Sequence, residues 1–152
     1  MVKYLNYAIT FSEVPDEISL CFNITNCCFN CDGCHSPYLQ KDIGTDLNKD
    51  IQKIFNLYKD QFTCVCFLGE GNDKKGLQKL IDYAHNNNYK TCLYSGRDEI
   101  SFNDYNNLDY YKKGSYKKEL GGLNNKNTNQ KMYKKEGDKW KDITYKFFPR
   151  SL

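Results

Sequence analysis

The stretch Thr63-Cys64-Val65-Cys66-Phe67-Leu68-Gly69-Glu70-Gly71 decides how this chain is read. A short apolar run stopped by two glycines around a glutamate describes a strand buried on both faces that opens into a loop. On its amino-terminal side, Leu47, Ile51, Ile54, Phe55 and Tyr58 recur at helical spacing behind Thr45, which is placed to cap them. Before that helix, Glu17 to Ile24 (Glu-Ile-Ser-Leu-Cys-Phe-Asn-Ile) reads as an earlier strand. On the carboxyl side, Leu77, Leu80, Ile81 and Ala84 mark a second amphipathic helix that frays at Asn86 to Asn88. Lys90 to Tyr94, closed by Ser95-Gly96, is the next strand. Strand, helix, strand, helix, strand predicts an α/β fold of βαβ units with mostly parallel strands. Leu108 to Lys112 is a candidate fourth strand, and Ile143 to Phe148 a last one with Trp140 packing nearby. Lys117 to Gln130, rich in Lys, Gly and Asn, is expected as a long exposed loop.

A length of 152 residues suits a single domain spanning 1–152, and no internal repeat interrupts it. The 22 basic and 19 acidic side chains leave a formal charge of +3 without a concentrated basic stripe, so no nucleic-acid partner is indicated. No segment approaches the roughly 20 apolar residues of a membrane span or resembles a signal peptide, and a cytoplasmic location is expected. Eight cysteines in a cytosolic chain point to metal or redox chemistry rather than to a disulfide framework. No Gly-x4-Gly-Lys-Ser/Thr phosphate loop is present, so nucleotide triphosphate chemistry is not expected. The 13 tyrosines are read as packing or surface, and none is singled out.

The cysteines divide into two groups. Cys27, Cys31 and Cys34 stand in C-x3-C-x2-C spacing within a polar, turn-prone segment. Closely spaced thiolates hold iron–sulfur clusters, and a closed [4Fe–4S] site uses four of them. Three thiolates leave one iron open to a cofactor or substrate, as the open position does in a catalytic zinc site. A second register, Cys28, Cys31 and Cys34, completed by Cys21 or His35, would instead give a closed zinc or electron-transfer site. Cys64 and Cys66 share one face of their strand, Cys92 lies on the next, and with Cys21 they are expected in the core.

Loops at the carboxyl ends of parallel strands gather on one rim. The cysteine segment, Gly69-Glu70-Gly71 and Ser95-Gly96-Arg97 each follow a predicted strand, so they are expected to meet there. Glycines permit close backbone approach, and Glu70 could accept a hydrogen bond from an ammonium. Gly69, Glu70, Ser95 and Gly33 are therefore the candidate cofactor-binding residues, and Cys27, Cys31 and Cys34 the candidate metal ligands. Arg97 either steadies a carboxylate or faces solvent. No side chain is assigned a catalytic role of its own.

The C-x3-C-x2-C segment resembles that of the radical S-adenosylmethionine (SAM) superfamily. Leu68-Gly69-Glu70 stands where many members carry Gly-Gly-Glu, and Tyr94-Ser95-Gly96 resembles their Thr-Gly-Tyr or Ser-Gly region. Over nearly the whole chain the likeness narrows to the activating component of anaerobic, class III ribonucleotide reductase. It runs through Cys31-Asp32-Gly33-Cys34-His35, Leu108 to Gly114, Glu119 to Leu123, Thr128 to Tyr133 and Asp142 to Phe147, with Ser36 where many relatives have asparagine. The resemblance implies a partial (incomplete) radical SAM (β/α) barrel, a [4Fe–4S] cluster and SAM as cofactors, and SAM chelating the open iron. It further implies a glycyl-radical activase whose protein substrate is the large reductase subunit, fed by an electron donor such as flavodoxin or ferredoxin. An activase of another glycyl-radical enzyme, or a noncatalytic iron–sulfur or zinc protein, is the alternative.

Overall fold

The computed structural model describes residues 1–26, 37–99, 102–115 and 117–148. The described residues form eight strands: β1 (Lys3–Thr10), β2 (Ser19–Ile24), β3 (Thr45–Asp46), β4 (Cys64–Leu68), β5 (Lys90–Tyr94), β6 (Tyr110–Lys113), β7 (Lys131–Glu136) and β8 (Lys139–Asp142). They share one sheet in the order β3-β1-β2-β4-β5-β6-β7-β8. Two α-helices, α1 (Leu47–Leu57) and α2 (Lys74–Asn86), connect the first three parallel strands.

The centre of the sheet is parallel. Strands β2, β4, β5 and β6 pair in register, so that Cys21, Cys66, Cys92 and Tyr110 form one row across them. Both margins are antiparallel, with β1 on β2, β3 on β1, β7 on β6 and β8 on β7. The sheet is therefore mixed, not mostly parallel as the βαβ pattern suggested. Strand β1 returns to β2 through a hairpin, and β7 and β8 are joined by a tight turn at Gly137 (φ +61°). Short connections of this kind can only make antiparallel neighbours.

Alternation along the parallel strands separates two cores. Leu20, Phe22, Ile24, Val65, Phe67, Leu93 and Tyr111 point to one face, which both helices cover with Leu47, Ile51, Ile54, Phe55, Leu77, Leu80, Ile81 and Ala84. Cys21, Cys64, Cys66, Cys92 and Tyr110 point to the other face. There they pack with Val14, Leu123, Met132 and Ile143, and among the described residues neither α-helix contributes. Asp46, rather than Thr45, caps α1, its carboxylate accepting from Asn48 N at 3.0 Å. Asp73 caps α2, accepting from Gly76 N at 3.0 Å.

The connection from β5 to β6 holds no α-helix in its described part. Phe102 covers the sheet there instead, stacked on Trp140 at 4.8 Å and edge-on to Tyr133 at 5.1 Å. The strand expected at Ile143 to Phe148 is a 3-10 turn, Thr144–Phe147, and Trp140 lies within β8. Asp142 Oδ1 accepts from both Thr144 N (2.9 Å) and Thr144 Oγ1 (2.6 Å), while Thr144 Oγ1 accepts from Met132 N (3.0 Å). This side-chain turn takes the backbone donors a further strand residue would have paired. The loop Lys117 to Gln130 is less exposed than expected, for Leu123, Thr128 and Gln130 are buried. Gln130 N donates to Thr128 Oγ1 at 3.0 Å and Thr128 Oγ1 to Gly121 O at 3.0 Å within the loop, while Asn129 Nδ2 and Gln130 Nε2 donate outward to Ser115 O at 3.0 Å and Gly114 O at 3.3 Å. No helix of the described residues is long and apolar enough to cross a membrane.

Cys21, Cys64, Cys66 and Cys92 are free and buried, as their strand positions suggested. Burial pushes the Cys64 and Cys66 thiols well above the ordinary value of 9.0 and that of Cys92 up to about 11, while a hydrogen bond to Cys66 and then burial raise Cys21. Each folded-state value lies above the unfolded one, so the native state keeps protons that the unfolded chain releases. Their contribution to stability is complete below about pH 8.5 and is lost as pH rises through the folded values. Urea midpoints measured anaerobically should therefore fall between pH 8 and pH 10. Replacing Cys66 and Cys92 by Ala should flatten that dependence.

Candidate cofactor-binding rim

Strands β2, β4, β5 and β6 end at one level, where Asn23 pairs with Leu68, Leu68 with Tyr94 and Tyr94 with Lys112. Their following segments leave the sheet on one rim. At the end of β2, Thr25 N donates to Lys3 O at 2.9 Å, and Asn26, at φ +58°, donates its N–H to Lys41 O at 2.9 Å. The two described ends of the cysteine-bearing segment are thus tied together beside β2. The segment's own candidates, Cys27, Cys31, Cys34 and Gly33, and the alternatives Cys28 and His35, lie outside the described residues.

The turn after β4 is pressed against the end of β2. Gly69 has φ +124° and Gly71 φ +61°, a region that side-chain-bearing residues seldom adopt. A Cβ on Gly71 would stand 3.2 Å from Ile24 Cγ2 and 3.4 Å from Thr25 O, a close approach that favours glycine. Between them Glu70 is 5% exposed. Burying a carboxylate costs several kcal/mol unless it is paired, and this one is paired on both oxygens. Glu70 Oε2 accepts from Ser95 Oγ at 2.6 Å and from Arg97 Nε at 3.3 Å, and Oε1 accepts from Tyr105 Oη at 3.0 Å. Arg97 N in turn donates to Ser95 Oγ at 3.1 Å, and Arg97 Nη1 donates to Asp104. Lys74, from the start of α2, stands 3.7 Å from Asp104.

The electrostatics follow from this packing. Burial raises the Tyr105 phenol above its ordinary value, and the Glu70 charge and hydrogen bond raise it further. Burial works against the Arg97 charge, but Glu70 and Asp104 outweigh it and hold the guanidinium above its ordinary value. A second cation lies on the same rim: buried Lys112 donates to Gly114 O at 2.9 Å and Ser95 O at 3.4 Å, with Nζ 5.5 Å from the centre of the Tyr94 ring.

Of the sequence candidates, the structure brings Gly69, Glu70 and Ser95 together and adds Arg97, whose carboxylate is that of Glu70. Tyr105 and Asp104 were missed. They sit in an Asn-rich stretch whose only signal is an acidic residue beside a large aromatic. Among the described residues no three His, Cys, Asp or Glu side chains gather to hold a metal ion, and the row of Cys21, Cys66 and Cys92 does not form such a group. No protein-family model, no curated protein and no solved structure matches the chain.

A carboxylate so engaged carries stability as well as chemistry. Glu70→Ala leaves Ser95, Arg97 and Tyr105 without their acceptor and should cost about 2–4 kcal/mol in urea unfolding. Asp104→Asn, at a half-exposed pair, should cost about 1 kcal/mol or less by the same measurement.

Proposed function

We propose that this chain is a radical SAM glycyl-radical activase whose protein substrate is the large subunit of anaerobic ribonucleotide reductase. The observation that carries the reading is a juxtaposition. The C-x3-C-x2-C segment starts two residues beyond Thr25, and the Gly69-Glu70-Gly71 turn, with its buried carboxylate, packs against Ile24 and Thr25.

The residues fit the implied cofactors. Cys27, Cys31 and Cys34 would hold three irons of a [4Fe–4S] cluster, a thiolate set that leaves the fourth for the amino-acid end of SAM. Glu70 offers an anionic acceptor to an ammonium, and Gly69 lets the backbone approach closely. When bound, the reduced cluster and SAM supply a 5′-deoxyadenosyl radical, which takes a hydrogen atom from a glycine of the partner. The protein's own part is placement and exclusion of water. On the face of the sheet away from the helices, Cys66, Cys92, Tyr110, Leu123, Met132 and Ile143 make a buried floor.

Among the described residues both α-helices lie on one face, which also favours a partial radical SAM barrel over a doubly wound sheet, covered on both. The sheet order runs from β3 to β8 without closing among the described residues, and an open sheet leaves a side from which a protein loop can reach the rim. Electrons would come from a small donor such as flavodoxin or ferredoxin in the cytoplasm.

Anaerobic reconstitution with iron and sulfide tests the reading. Dithionite and SAM should yield 5′-deoxyadenosine and methionine, SAM should perturb the paramagnetic resonance of the reduced cluster, and added reductase should acquire a glycyl-radical signal. Serine at Cys27, Cys31 or Cys34 should each abolish SAM cleavage. Activity that survives loss of Cys27 but not of Cys28 would move the cluster to the other register. A cluster indifferent to SAM would leave the noncatalytic alternative.

A further inference from the structure

A carboxylate has about four lone-pair directions. Glu70 Oε2 has two donors, Ser95 Oγ at 2.6 Å and Arg97 Nε at 3.3 Å, whereas Oε1 has Tyr105 Oη alone at 3.0 Å. Among the described residues one acceptor direction is therefore left, on Oε1, and its orientation is set by Tyr105. We propose that Tyr105 and Arg97 are positioning residues that make Glu70 a single-site acceptor for the ammonium of an amino-acid-bearing cofactor. On this view Ser95 belongs to the same lock and is not a cofactor ligand. The inference rests on the radical SAM reading and assigns roles within its cofactor site.

Three features carry it. First, the Ser95 hydroxyl is engaged as donor and acceptor: its proton goes to Glu70 and its oxygen accepts Arg97 N at 3.1 Å. It has no proton left for a carboxylate or a ribose. Second, Arg97 is held from two sides, by Glu70 through Nε and by Asp104 through Nη1, so it cannot swing toward a ligand without breaking both pairs. Arg97 and Lys74, 3.7 Å from Asp104, balance the two carboxylates, and Lys112 donates to Ser95 O, so an ammonium would be selected here by the acceptor direction on Oε1 and not by net charge. Third, Tyr105 is 6% exposed, and its ring is wedged where only its hydroxyl reaches Glu70. A glutamate free to rotate would lose side-chain entropy on each binding event; this one has lost it on folding.

The test uses reconstituted full-length protein and two probes. One is SAM, titrated through its effect on the reduced-cluster resonance. The other is 5′-methylthioadenosine, which has the nucleoside but no amino-acid end, measured as an inhibitor of SAM cleavage. Tyr105→Phe should weaken SAM about tenfold, leave the cleavage rate at saturating SAM within about twofold, and leave the methylthioadenosine inhibition constant unchanged. Combined with Glu70→Gln it should add no further loss. Asp104→Asn, acting through Arg97 at a more exposed position, should weaken SAM in the same direction by about threefold and serves if Tyr105→Phe folds poorly. Equal losses for both probes, or no loss of SAM affinity in either variant, would overturn the positioning role and leave the radical SAM reading intact. A wild-type protein that shows no response to SAM would overturn both.

Discussion

Register across β2, β4, β5 and β6 is the constraint on which the other features depend. Side chains alternate with a period of two, so a slip of one residue in any of these strands would turn its thiols toward the helices and its large apolar residues away from them. Leu20, Phe22, Val65, Phe67 and Leu93 match the stripes of α1 and α2 only in the observed register, and Cys21, Cys66 and Cys92 then fall in one row on the opposite face. The same register ends the four strands level with one another. Segments that are far apart in sequence consequently leave the sheet side by side. The juxtaposition of Asn26, Gly69-Glu70-Gly71 and Ser95 is a product of strand pairing before any side chain of the rim contributes.

The rim then imposes a demand of its own. Packing Gly71 against Ile24 and Thr25 draws Glu70 into the interior with its charge, and an ionised carboxylate there is tolerable only with donors supplied. Ser95 and Arg97 come from the end of β5, and Tyr105 from the connection that follows, so the β4 turn is held by the next crossover rather than by its own neighbours. This accounts for a β5-to-β6 connection whose described part carries no α-helix. It delivers Phe102 to the outer core against Trp140, and Asp104 and Tyr105 to the Glu70 network within a few residues. A regular helix with one apolar stripe would serve the first task and not the second.

Much of this was legible in the sequence, for physical reasons that also mark where legibility stopped. The helices were readable because Leu47, Ile51, Ile54 and Phe55, and Leu77, Leu80, Ile81 and Ala84, repeat at helical spacing and bury those same residues. Strands β2, β4 and β5 were readable because strands buried on both faces are continuous apolar runs. Strand β7, Lys-Met-Tyr-Lys-Lys-Glu, buries Met132 on one side only and reads as a charged loop, and β1 was read merely for what it lacked. Glu70 and Ser95 could be named from their places after strands, but their mutual contact could not. Tyr105 is 35 residues from Glu70 and is one of 13 tyrosines, with no local pattern to separate it from the rest.

The floor beneath the rim completes the electrostatic picture. Its thiols are held above their ordinary values and stay neutral at physiological pH, and Leu123, Met132 and Ile143 add only apolar surface. At the strand ends Arg97 is held by Glu70 and Asp104, and Lys112 by backbone carbonyls and the face of Tyr94. The thiols of this floor thus stay protonated and keep that side of the sheet neutral.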